Sequence, residues 1–200
     1  MHTLSDFVLH GTNRRHALVR DGLLVLAASM LVAVCAKVQV PGPIPMTLQT
    51  FAVVLVGAML GSKHGAAAIL AYLLEGAAGL PVFAGPVAGP AYFAGPTAGY
   101  LLGFVVAAWV VGKLAEHGWD RRFFAALGVF ALGHVLVLAL GFAWLAAQVG
   151  AQAAFITGVW VFLPGAAVKT FLAAVALPVA WKRVRSLDRS DDVAWFHRPS

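Results

Sequence analysis

Residues 46–79 read MTLQTFAVVLVGAMLGSKHGAAAILAYLLEGAAG. Two apolar runs, Met46 to Gly61 and Ala66 to Gly79, flank a polar step that holds Lys63 and His64. Each run is about 15 residues long, short of the roughly 17–25 that a membrane-crossing helix needs. Two folds are compatible with this stretch. A re-entrant pair leaves the polar step inside the bilayer, where a mid-membrane lysine costs roughly 2.5–3.5 kcal/mol. Two short crossings place Lys63 and His64 in water instead. The second arrangement avoids that cost and sets the number of crossings for the whole chain.

The composition calls for such a solution. Of 200 residues, 61% are hydrophobic and 11% charged, against about 45–50% and about 25% in soluble domains. The mean hydropathy is +0.87. The chain reads as an all-α integral membrane protein, one compact unit in the lipid bilayer. Cys35 is the single cysteine, so no internal disulfide forms; it reads as a small apolar residue on a helix. The net charge of +6 reports basic cytoplasmic loops rather than nucleic-acid binding.

The pattern continues outward in both directions. Leu23 to Lys37 is apolar, behind a polar, basic start with Arg14, Arg15, His16 and Arg20. A cleavable signal is the rival reading there, with small residues at Val34, Cys35 and Ala36. Val40 to Thr50 holds Pro41, Pro43 and Pro45, which forbid helix and predict a rigid extended loop. From Leu80, a second loop carries Pro81, Pro86, Pro90 and Pro96, several glycines and no charge. Thr97 to Val111, Phe123 to Trp144 and Phe155 to Trp181 complete six spans, the last with Pro164 inside it. The expected layout is a cytoplasmic N-terminal segment (1–21), a six-helix membrane domain (22–181) and a basic cytoplasmic tail (182–200). With that layout, twelve of the fourteen Lys and Arg fall in the tails and in the loops around Lys63 and Arg121. This asymmetry predicts that both termini are cytoplasmic.

Lys37, Glu75, His134 and Lys169 lie in or beside the hydrocarbon region. Ionisable groups there are costly and face a cavity, a partner or a pathway. Lys37 can reach water along its stem, Glu75 can neutralise a lysine, and His134 can bond a carbonyl. Lys169, well inside an apolar helix, resists such readings. No H-E-x-x-H, G-x-S-x-G, Cys/His cluster or P-loop is present. No catalytic residue is therefore assigned, and Glu75 with His134 is too small a set for a metal. A buried lysine in an outward cavity, roofed by two stiff loops, suits capture of a small anion.

Four segments then appear in order: PGPIPMTLQTFAVVLVGAMLG (41–61), YLLEGAAGLPVFAG (72–85), GPTAGYLLGF (95–104) and LPGAAVKT (163–170). Together they closely resemble the BioY family, the biotin-binding S-components of energy-coupling-factor (ECF) transporters. The likeness spans roughly Leu23 to Pro178. It implies six helices in a bacterial plasma membrane, with biotin as transported ligand near the outer face and no cofactor. It also implies partners, a transmembrane T-component and cytoplasmic ATPases, although some members are thought to act alone. Carried over by motif, Gln49, Tyr100 and Lys169 are site residues. The motif around Lys169 departs from the family's, with Ala166 where an aspartate is usual, and Glu75 is the carboxylate available to replace it. Helical spacing adds Phe162 to the face of Lys169. Phe83, Tyr92 and Phe93 offer apolar contact from the loop. Glu75 is expected to line the cavity. Ser29 and Ala33 are the nearest match to a small-residue docking pattern on the first helix. Two other readings stand beside this one: an intramembrane enzyme using Glu75 and His134, and capture of another small carboxylated vitamin. A homo-oligomer is compatible with this layout.

Overall fold

The computed structural model describes residues 14–40, 46–85 and 87–196, with side chains over 17–39, 46–85 and 87–183. Outside the described residues lie most of the expected N-terminal segment, Pro41, Pro43 and Pro45, Pro86, and Arg198. Helix α1 (Arg14–Lys37) leads into strand β1 (Gln39–Val40), which pairs antiparallel with β2 (Met46–Thr47). This short ladder ties together the two ends of the proline-rich loop. The helices α2 (Gln49–Ala77), α3 (Ala98–Glu116), α4 (Phe123–Val149), α5 (Ala151–Gly158) and α6 (Leu163–Phe196) follow. Five segments are long and apolar enough to cross a membrane: Ala17–Lys37, Gln49–Ala77, Ala98–Glu116, Phe123–Val149 and Ala151–Arg183. The protein is a multi-pass, helical membrane protein.

Helix α2 contains the stretch that decides the fold, and it is not one rod. Gly61 has φ 80° and ψ 178°, a conformation essentially confined to glycine. A straight helix rising 1.5 Å per residue would separate Gln49 from Tyr72 by about 34 Å. Instead the Gln49 amide lies 2.7 Å from the Tyr72 hydroxyl. The chain reverses at Gly61, and the two apolar runs lie side by side as antiparallel arms. Glu116, at the end of α3, accepts from the Ser62 N–H at 2.8 Å and the Ser62 hydroxyl at 2.7 Å. His64 stands 3.6 Å from Asp21 in α1. The reversal is therefore level with the early turns of α1 and the last turn of α3. Close packing holds it there: a Cβ on Gly112 of α3 would fall 2.5 Å from the backbone of Gly61 and Ser62. Small residues at such crossings let helix backbones touch.

At this same end, buried Asp120 accepts from the Trp181 indole at 2.5 Å, and Arg121 lies 4.5 Å over the Trp181 ring. The α3–α4 connection is thus fastened to α6. Outward-facing Leu23, Leu74, Trp109, Phe124 and Phe171 are exposed, a surface suited to lipid rather than water.

The last span departs from expectation. It is not a single helix with Pro164 in its interior. Helix α5 ends at Gly158, a 3₁₀ turn covers Trp160–Phe162, and α6 begins at Leu163. Pro164 occupies the first turn of α6, where a missing N–H has no helical partner to lose. The backbone of α6 then continues as helix to Phe196, into the expected tail.

Candidate functional site

The loop after α2 is built on a glycine of α2. A Cβ on Gly76 would collide with the Phe83 ring, so the missing side chain is the slot in which Phe83 sits. Phe83 is fully buried, stacked on Tyr92 at 4.4 Å and edge-on to Tyr72 at 5.4 Å. Lys37 donates to the Phe83 carbonyl at 2.7 Å, which joins the end of α1 to the loop. Tyr92 donates to the Ala84 carbonyl at 3.3 Å, and the Trp144 indole to the Gly95 carbonyl at 2.9 Å. Burial pushes the Tyr92 phenol up from its ordinary range, against a hydrogen bond with Thr97 that lowers it. Among the described residues, no ion pair fastens this loop.

Beneath the loop lies a cavity whose empty space, open mouth included, is about 520 Å³. Tyr92, Tyr100, Phe104 and Phe162 give it aromatic walls. Thr47, Gln49, Thr50 and Lys169 give it a polar side. The Tyr100 hydroxyl is committed elsewhere, donating to the Gly158 carbonyl at 2.6 Å. Its ring faces Phe162 with centroids 6.1 Å apart. The polar side follows from the ladder and the start of α2. These bring Thr47, Gln49 and Thr50 together, opposite Lys169 on α6. Lys169 donates to the Thr47 carbonyl at 2.5 Å and to the Thr50 hydroxyl at 3.1 Å. Among the described residues no carboxylate pairs with it. A half-buried cation thus rests on two neutral oxygens.

Gln49, Tyr100, Phe162 and Lys169, all expected in the site, line this one cavity. Phe83 does not line it; it stands behind Tyr92 and supports the wall. Glu75 corrects the expectation more sharply. It neither lines the cavity nor pairs with Lys37 or Lys169. Its Oε1 lies 2.8 Å from the Ser29 hydroxyl, because the turn of α2 that carries it faces α1. Ser29 and Ala33 are corrected by the same contact. Both are buried, and Ser29 meets α2 directly, so these two residues face the inside of the chain rather than an outside partner. Sequence reading missed Thr47 and Thr50, though hydroxyls flanking Gln49 in T-L-Q-T were a visible signal. Glu75 and His134 do not share a site. His134 Nδ1 is 2.9 Å from the Phe130 carbonyl and 3.0 Å from the Thr170 hydroxyl. Among the described residues, no group of three His, Cys, Asp or Glu is placed to hold a metal.

A model of the BioY family matches residues 7–186. The chain belongs to the BioY family. "Biotin transporter BioY" of Thermotoga maritima is 43% identical over 112 residues, 56% of this chain and 65% of that protein. "Probable biotin transporter BioY" of Pyrococcus horikoshii is 39% identical over 153 residues, 76% of this chain and 90% of that one. These family members carry transporter names, not enzyme names. The fold is similar to a crystal structure of "the S-component for biotin from an ECF-type ABC transporter". The TM-score is 0.75 at 24% identity, over 86% of this chain and 95% of that one.

Proposed function

We propose that this chain is a biotin transporter's substrate-binding subunit, which takes biotin into the cavity between α2, α3, α4 and α6 under the loop that follows α2. The observation that carries this reading is Lys169, a cation in a largely apolar cavity whose partners among the described residues are a carbonyl and a hydroxyl. A carboxylated ligand completes it with a charge-assisted hydrogen bond. The aromatic walls suit a bicyclic ring and aliphatic chain, and Gln49 suits the ureido group, which needs both a donor and an acceptor. The reversal at Gly61 supports six crossings, with both termini cytoplasmic in a bacterial plasma membrane and the cavity toward the outside. A T-component and cytoplasmic ATPases supply the energy, since no P-loop is present in the chain. Purification from cells grown with biotin tests the proposal. Biotin released from the denatured protein in about stoichiometric amount supports it. Protein that neither retains nor rebinds biotin rules it out.

A further inference from the structure

Gln49 presents its amide to the cavity in one orientation, and the residue that sets it stands behind the wall. Tyr72, on the second arm of α2, is fully buried and does not line the cavity. Its hydroxyl is 2.7 Å from Gln49 Nε2 and 3.3 Å from the Val82 carbonyl in the loop. A carbonyl only accepts, so the phenol proton goes to Val82. The phenol oxygen must then accept from the Gln49 amide. This commits one of the two N–H bonds of the amide nitrogen to Tyr72 and fixes which way round the amide sits. The amide oxygen, 3.4 Å from the Thr47 hydroxyl, keeps a lone pair for the cavity. A glutamine not held this way can turn over and offer N–H₂ instead, since its two ends have nearly the same shape. Tyr72 is itself held edge-on by Phe83, whose carbonyl Lys37 grips.

We infer that Tyr72 is a positioning residue for ligand specificity. It turns Gln49 so that an acceptor meets an N–H of the ligand, and through Val82 it links that setting to the loop above. The inference rests on the biotin reading, in which the N–H belongs to the ureido ring. It predicts discrimination between biotin and the same molecule methylated on the ureido nitrogen that faces Gln49.

Purified full-length chain is titrated with biotin and with each of the two N-methylated biotins. Wild type should bind biotin at least about tenfold more tightly than one of them, the usual scale for a stranded buried polar group. Tyr72→Phe keeps the ring and removes only the hydroxyl. It should weaken biotin about tenfold and that methylated ligand less than about threefold, so the ratio shrinks. Gln49→Leu, which spares the phenol, should erase the ratio, and adding Tyr72→Phe to it should change nothing further. Equal weakening of both ligands by Tyr72→Phe makes Tyr72 merely structural and overturns the inference. A ratio that survives Gln49→Leu overturns it as well, whether or not Tyr72→Phe folds. Wild type that binds biotin without discrimination overturns the inference alone. Wild type that binds none of the ligands overturns the biotin reading and the inference together.

Discussion

In the proposed reading, Lys169 is the residue on which recognition turns. Among the described residues its half-buried ammonium is held by neutral oxygens alone, and on the proposal a ligand carboxylate supplies the counter-charge. Lys169→Gln should weaken biotin by at least about tenfold, or about 1.4 kcal/mol. It should weaken the uncharged biotin amide much less. Titration of both ligands checks this, and equal losses would place carboxylate recognition elsewhere. At this scale the sequence was informative where a residue type is improbable in its setting. A lysine inside an apolar helix and a glutamine after a proline-rich loop both stand out. Glu75 stood out as well and was misassigned. Its depth follows from its position along α2, but the side it faces depends on where α1 packs. The same gap hid Tyr72, since one tyrosine in an apolar run carries no sign of what its hydroxyl meets.

Elements place these residues, and the critical one is the hairpin of α2. It exists because Gly61 adopts φ 80°, ψ 178°, and because α3 presents a bare glycine to the turn. Gly61→Ala should cost about 1–3 kcal/mol, the usual cost of a residue forced into such a region. Gly22→Ala is the control, since Gly22 is helical with nothing within 4 Å of its would-be Cβ, and alanine there should stabilise or be neutral. Thermal unfolding in detergent should show a lower midpoint for Gly61→Ala only. Equal behaviour of the two variants would mean that the reversal does not depend on glycine. The two apolar runs and the polar step between them were legible from hydropathy. A reversal between them was expected too, since both layouts of this stretch turn at the polar step; that a single glycine, Gly61, makes the turn was not legible. Ser29 and Ala33 show the corresponding limit for packing. Small residues at helical spacing announce a close neighbour, but not whether it belongs to the same chain.

Across the whole molecule, the charged contacts of Asp21, His64, Glu116 and Asp120 gather at one end, and Lys37 with the apolar loop at the other. Six crossings follow if the arms of α2 each traverse the bilayer. In a Cys35→Ala background, Val87→Cys should react with a membrane-impermeant maleimide in intact cells, and Lys63→Cys only after the membrane is opened. Labelling of position 63 from outside would overturn this orientation. Charge asymmetry supplies the expected orientation from sequence alone, while the site needed the fold, because its polar side joins residues far apart in the chain. The central claim is that the cavity under the loop binds biotin through its carboxylate. Calorimetry of the purified wild-type chain tests it most directly. The account predicts saturable binding of biotin at one site per chain, at least about tenfold tighter than the biotin carboxamide. No binding of biotin, or equal affinity for the two, would contradict it.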